Sequence, residues 1–190
     1  ALPVTLKMRL GWDHASLNAA EIARRAEAAG VAMIVVHGRT RCQFYRGDAD
    51  WAAIGEVVRA VAIPVLANGD IRCAADARRA LSVSGAAGVM IGRAAQGRPW
   101  LAPAIERALR EGGDAHAPML AAIAESLQAL YEDTLEFYGD KLGARVARKH
   151  IAWTLEALFG SAVREERARV CTLERPNEVR TALAELFEAF

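Results

Sequence analysis

Little in this sequence points to secretion, a structural metal or a membrane. Only three of its 190 residues are cysteine. Cys42, Cys73 and Cys171 are odd in number and widely spaced, with no CxxC pair and no Cys/His cluster of zinc spacing, which excludes a disulfide scaffold and a zinc module and suits a reducing cytosol. No run of about 18 apolar residues could form a spanning helix. From Ala1 to Gly11, Lys7 and Arg9 interrupt the apolar stretch that a signal peptide needs, so a cytoplasmic location is expected. The chain also lacks a GxGxxG after a strand, a Walker loop, an HExxH helix and a Ser/His/Asp order. With 53% hydrophobic and 25% charged residues it is a globular protein. A large excess of one charge is missing as well, the net being +1. That balance hides an asymmetry: residues 1–114 carry an excess of Lys and Arg, and residues 115–190 an excess of Asp and Glu. The front half is the expected anion binder.

What is present is a repeated βα pattern. Apolar, β-branched runs at Val4–Arg9, Met33–His37, Pro64–Asn68 and Gly88–Ile91 predict four strands, nearly continuous in apolar residues as parallel strands covered on both faces are. Amphipathic stretches at Ala19–Ala29, Trp51–Val61, Ala74–Leu81 and Pro99–Arg110 predict the helices that follow them. Doubly wound sheets and (βα)8 barrels both use such units. The polar residues sit at or just beyond the strands' carboxyl ends, where barrel enzymes place their chemistry, so the expectation is α/β with a TIM-type barrel. Four strands make half of one, and the other half is missing. After Gly112–Gly113 the strands stop. Helices are expected at Pro118–Tyr138, Lys141–Phe159, Ala162–Thr172 and Pro176–Ala189, giving an all-α bundle at 115–190 behind a half barrel at 1–114.

Three features carry candidate chemistry. Asn68, Gly69 and Asp70 after the third strand, with Gly92 and Arg93 after the fourth, have the composition of a phosphate site. Glycines admit backbone amides to an anion, and an arginine adds a bidentate donor. The alternative is that the glycines serve tight turns and Arg93 is a solvated charge. His37 opens the run His37-Gly38-Arg39-Thr40-Arg41, and with Lys7 across the mouth it could set donors and positive charge against an electron-rich ring, as flavin enzymes do. Finally, Lys141, Arg145 and Arg148 are spaced i, i+4, i+7 with Lys149 and His150 alongside, either a solvated helix face or a stripe suited to a polyanion. Trp153 is expected in the core.

Read together, four strings resemble the tRNA-dihydrouridine synthase family, its bacterial B-type branch in particular. They are PVTLKMRLGW (residues 3–12), HGRTR (37–41), PVLANGDI (64–71) and MIGRAAQGRPW (90–100), joined by ARKH (147–150) in the helical part. The resemblance implies an FMN-dependent reductase: with NADPH as reductant, hydride goes to C6 of a uracil ring in tRNA, giving 5,6-dihydrouridine, while a cysteine protonates C5. It implies that Lys7 and His37 face the flavin ring, and that Asn68, Gly69, Asp70, Gly92 and Arg93 hold the ribityl and phosphate end. For the tRNA, Arg39 and Arg41 at the rim and Lys141, Arg145, Arg148 and Lys149 on the bundle are the candidate contacts.

The family's Asn-x-Gly-Cys-Pro motif is absent, and none of the three cysteines matches it. No catalytic residue is therefore expected in this chain, which reads as the carboxyl-terminal portion of a longer enzyme. Its Ala1 start fits that reading, and the portion alone is expected to be inactive. Strand edges near Leu6 and Met90 would then invite association. The other readings are an FMN barrel of the dihydroorotate dehydrogenase type and a catalytically inactive RNA-binding module.

Overall fold

The structure, a computed structural model, describes residues 2–190. It divides into two compact units. The first comprises the chain through Ala94 together with Leu101–Ala115, and the second comprises Ala95–Trp100 together with His116–Phe190.

The first unit alternates strands and helices: β1 (Thr5–Arg9), α1 (Ala19–Ala28), β2 (Met33–His37), α2 (Trp51–Ala60), β3 (Val65–Asn68), α3 (Ala74–Ser84), β4 (Gly88–Met90) and α4 (Leu101–Glu111). All strand pairs are parallel, in the order β1-β2-β3-β4. A sequential order with no reversal has no topological switch point, and right-handed crossovers then place every helix on the same face. The packing agrees. Ile34, Val36, Val65 and Ala67 join Ala19, Ala23, Ile54, Val57, Ala77, Ala80 and Ile105 from the helices in one core, with Leu6, Met8 and Val89 against it. The opposite face carries the alternate residues, Lys7 and Arg9, Val35 and His37, Leu66 and Asn68, and Met90. The helices of this unit thus cover one face of the sheet, whereas near-continuous apolar strands predict two. Val35, Leu66 and Met90 supply the apolar character of the other face.

Element ends follow local chemistry. The Asp50 carboxylate accepts from the Ala53 amide and starts α2. Helix α3 runs three residues past Leu81 because the Ser84 hydroxyl bonds back to the Ala80 carbonyl, and Gly85 then ends it in a left-handed turn. One Glu27 carboxylate oxygen takes the amides of Ala62 and Ile63, fixing the turn into β3.

The second unit holds α5 (Leu120–Tyr138), α6 (Asp140–Phe159), a 3-10 turn (Gly160–Val163), α7 (Arg164–Thr172) and α8 (Pro176–Glu188). Its core gathers Leu127, Tyr131, Leu135, Ala144, Ala147, Ile151, Leu155, Val163, Val170 and Leu183. Trp153 stays outside it, 36% exposed, with its ring edge-on to His150. The segment Ala95–Trp100, read from sequence as part of the first domain, groups with these helices instead. The reason lies at Gly97, whose φ is +69° and whose missing side chain lets its backbone lie against the Trp153 carbonyl and the Thr154 amide. Among the described residues no helix is long and apolar enough to cross a membrane.

Substituting Gly97 tests this packing. Gly97→Ala adds a Cβ in a left-handed conformation against backbone that cannot yield, so the helical unit should lose about 3 kcal/mol. Urea unfolding followed by far-UV circular dichroism would show a lower midpoint; an unchanged midpoint would mean that Ala95–Trp100 is not docked on α6.

Candidate functional site

In the sheet register Arg9, His37, Asn68 and Met90 form one row across the four strands, and Lys7, Val35, Leu66 and Gly88 form the row before it. The expected residues Lys7, His37 and Asn68 therefore share one face at the carboxyl ends of the strands. Gly69 and Asp70 continue β3 with left-handed backbone, at φ +113° and +54°. Arg93 follows β4 and reaches back, one guanidinium nitrogen lying 3.9 Å from Asp70 Oδ1. The Asn68 amide donates to the Met90 carbonyl at 2.8 Å and so holds the two strand ends together. Gly69 is required twice, by its φ and because a Cβ there would come within 2.8 Å of the His37 ring and 2.7 Å of Ala49 Cβ.

Arg39 lies inside this cluster. Its expected place at the rim is not what the structure shows: it is 2% exposed, and four hydrogen bonds hold its guanidinium. It donates to the carbonyls of Arg46 and Gly47, to Asp70 Oδ2 at 2.5 Å and to His37 Nε2 at 3.2 Å. Carbonyls converging from the turn after Arg41 pull it inward, so it is unavailable to a nucleic acid. Asp70 is correspondingly no free carboxylate, since it also accepts the Ala49 amide at 2.8 Å. Burial raises its pKa, but the Arg39 hydrogen bond, the Ala49 amide and the charges of Arg39 and Arg72 outweigh that and leave it below the ordinary carboxylate value. Asp70 thus anchors the loop and faces Arg93, where sequence reading had it touch the cofactor.

His37 takes its protonation state from the same network. A guanidinium has no lone pair, so Nε2 must accept from Arg39 and the ring proton sits on Nδ1. Burial first, then the charges of Arg9, Lys7 and Arg39, push its pKa down to about 4 against an opposing effect of Asp70. His37 is accordingly a neutral N–H donor at physiological pH. The Lys7 pKa is lowered too, by burial and by the Arg9 charge.

Tyr45 is a residue that sequence reading missed. Its ring is exposed, with the Arg93 guanidinium 4.1 Å and the Arg9 guanidinium 5.6 Å from its centre and the His37 ring at 6.4 Å. Two adjacent aromatics, Phe44 and Tyr45, in an otherwise polar loop were the available signal. Arg41 is at the rim as expected, exposed and stacked on Phe44.

In the helical unit Lys141, Arg145 and Lys149 are exposed, but Arg148 is not on their stripe. Its guanidinium is partly buried and donates to the Leu173 carbonyl at 3.2 Å, at the carboxyl end of α7. A helix-end carbonyl has claimed the charge that the family resemblance offered to tRNA. Cys171 donates to the Arg148 carbonyl, while Cys42 and Cys73 are exposed; all three are free thiols. Among the described residues no three His, Cys, Asp or Glu side chains could share a metal ion.

Comparison with known proteins supplies the decisive observation. The family model described as dihydrouridine synthase matches residues 1–188. The chain belongs to the dihydrouridine synthase family. It is 61% identical over 156 residues to a probable tRNA-dihydrouridine synthase of Rhodobacter capsulatus, covering 82% of this chain and 48% of that protein. With a probable tRNA-dihydrouridine synthase of Rickettsia conorii it shares 47% over 186 residues, covering 98% of this chain and 56% of the relative. With the tRNA-dihydrouridine synthase B of Pseudomonas putida it shares 46% over 173 residues, covering 91% and 51%. The chain thus spans about half the length of the relatives it matches. All four strings that suggested this dihydrouridine synthase resemblance lie within the matched residues.

Two measurements test the network. In the unfolded chain His37 takes up a proton near pH 6.5 but in the folded chain only near 4. The unfolded state therefore binds more protons between those values, and stability falls as pH drops from about 6.5 to 4, by roughly 3 kcal/mol. His37→Gln, which keeps an acceptor for Arg39, should remove this component from the pH dependence of the urea midpoint. Asp70→Asn leaves the Arg39 charge buried and uncompensated and should cost about 3 kcal/mol; a thermal midpoint like that of the unsubstituted chain would contradict the anchoring role.

Proposed function

We propose that this chain forms the second half of a (βα)8 barrel and a helical tRNA-holding domain of a flavin-dependent tRNA-dihydrouridine synthase, with Ala95–Trp100 belonging to the helical part. The observation that carries the reading is the convergence of Lys7, neutral His37, Asn68 and Arg93 at the carboxyl ends of one sheet face, in a chain of this family.

The residues present fit FMN. Gly92 has no positive φ, and a Cβ there would meet only Asn68 Nδ2, at 3.9 Å. Neither backbone nor packing demands a glycine, so the open space beside Arg93 suits a close-approaching phosphoryl group. Gly69, Asn68 and Asp70 shape the loop next to it, Asp70 by holding Arg39 and facing Arg93. Lys7 and the His37 Nδ1–H supply positive charge and a neutral donor for the electron-rich pyrimidine edge of an isoalloxazine. When bound, the flavin supplies hydride chemistry toward C6 of the uracil, with NADPH as the reductant.

What these residues do is bind and polarise. His37 stays uncharged, so it orients its partner by a hydrogen bond without adding a second full charge beside Lys7. Lys7, Arg9 and Arg93 give the strand ends a positive field for an anionic substrate. The target uridine must leave its stack to enter such a site, at a cost of a few kcal/mol that contacts to the RNA backbone offset. Of the contacts expected from the resemblance, Arg41 at the rim and Lys141, Arg145 and Lys149 on α6 are exposed and are assigned to them. No cysteine of this chain is assigned the proton transfer to C5.

Titrating the folded chain with FMN should give saturable quenching of flavin fluorescence, weakened about 10- to 100-fold by Arg93→Ala. A folded chain that ignores FMN would count against the half site. For the RNA, the double substitution Arg145→Ala/Lys149→Ala should weaken binding of an unmodified tRNA transcript and reduce the salt slope by about 2. Arg148→Ala should leave that slope alone and lower the thermal stability of the helical unit.

A further inference from the structure

Two non-glycine residues among those described have left-handed backbone, Asp70 and Phe44. Asp70 is accounted for by its bonds to Arg39 and Ala49. Phe44, at φ +52°, has no such account, and its side chain neither fills a core nor closes one, being 51% exposed. A β-carbon in this region costs about 1–2 kcal/mol. Asn or Gly would turn the chain at no such cost, so a phenylalanine here is held for what its ring does.

The surroundings over-determine the conformation. The Thr40 amide donates to the Gln43 side-chain carbonyl at 2.8 Å, and the Gln43 amide returns a bond to the Thr40 hydroxyl at 3.2 Å. The Phe44 amide donates to the Arg41 carbonyl, and one Arg9 nitrogen clasps the carbonyls of Thr40 and Phe44 at 2.7 and 2.9 Å. The result is a rigid turn that throws the Phe44 ring outward. One face of the ring is backed by the Arg41 guanidinium, 4.4 Å from its centre. The other face meets no ring or cation among the described residues. Tyr45 differs, since Arg93 and Arg9 already engage it. Backbone bonds from Arg41 to the Gly11 carbonyl and from Cys42 to the Trp12 carbonyl tie this turn to the loop after β1, which carries a second exposed aromatic, Trp12.

An open aromatic face backed by a guanidinium, among Arg9, Arg41 and Arg46, matches an unstacked nucleobase on a polyanionic strand. We propose that Phe44, backed by Arg41, is a stacking platform for an unpaired base flanking the target uridine. The inference rests on the tRNA reading above and adds to it a specific residue and the part of the substrate it meets. Extruding the target strips its neighbour of a stacking partner, and the ring replaces that partner. The strain held at Phe44 keeps the platform in place before the RNA arrives.

The test uses this chain and a short single-stranded RNA carrying 2-aminopurine beside a central uridine, read by anisotropy for binding and by 2-aminopurine fluorescence for stacking. Quenching at saturation is expected for the unsubstituted chain and for Phe44→Trp. Phe44→Leu should lose the quench and bind roughly tenfold more weakly. Phe44→Asn relieves the backbone strain, so it should fold at least as stably and still lose the quench. Arg145→Ala/Lys149→Ala should weaken binding yet keep the quench at saturation. Binding with undiminished quenching in Phe44→Leu and Phe44→Asn would overturn the platform and leave the RNA reading standing. No anisotropy change with the unsubstituted chain would overturn both.

Discussion

The strand-end site depends on one buried cation. Arg39 carries a full charge into a place that is almost entirely withdrawn from solvent, and its surroundings are arranged to satisfy it. The carbonyls of Arg46 and Gly47 must converge, which closes the turn after β2. Asp70 must stand opposite, which puts its backbone in a left-handed conformation and requires glycine before it. His37 must offer a lone pair, which selects its tautomer and, with burial and the neighbouring charges, keeps it neutral. Each of these features looks like a separate property of the site, yet all follow from keeping a guanidinium hydrogen-bonded where water cannot reach it.

Electrostatics at the sheet face then divide into two layers. The inner layer, Arg39 with Asp70, is locally compensated and sets geometry. The outer layer, Lys7, Arg9 and Arg93, holds charge closer to solvent. The lone acidic group of the cluster is spent inside, so the face presented outward is positive.

Much of the architecture was legible in the sequence because its punctuation is chemical. Gly, Pro and Asp at element ends place most strands and helices within two residues of where they lie. Helix α3 outran its expected end because a serine hydroxyl can bond back along the helix, which propensity alone does not register. Parallel strands followed from the βα alternation, and the polar residues at strand ends were legible too, but that Lys7, His37 and Asn68 share one face comes from the sheet register. The two misplaced arginines share a cause. Arg39 and Arg148 read as surface charges because nothing local reveals that carbonyls from residues 46–47 and 173 will converge on them. Trp153 read as core because it is apolar at helical spacing, but the neighbouring Ile151, Thr154 and Leu155 take the inward positions and leave it at the surface.

The hexapeptide Ala95–Trp100 has a consequence for the order in which the protein takes shape. It leaves the ribosome before α4, which belongs to the first unit, yet the α6 backbone it lies against at Gly97 is made much later. Throughout that interval Gly97 lacks the α6 backbone it lies against, while α4, which follows it in the chain, already belongs to the first unit. Synthesis from the amino terminus therefore cannot complete the units one after the other. The hexapeptide takes its final form only when α6 does, so its docking is among the last local events of synthesis.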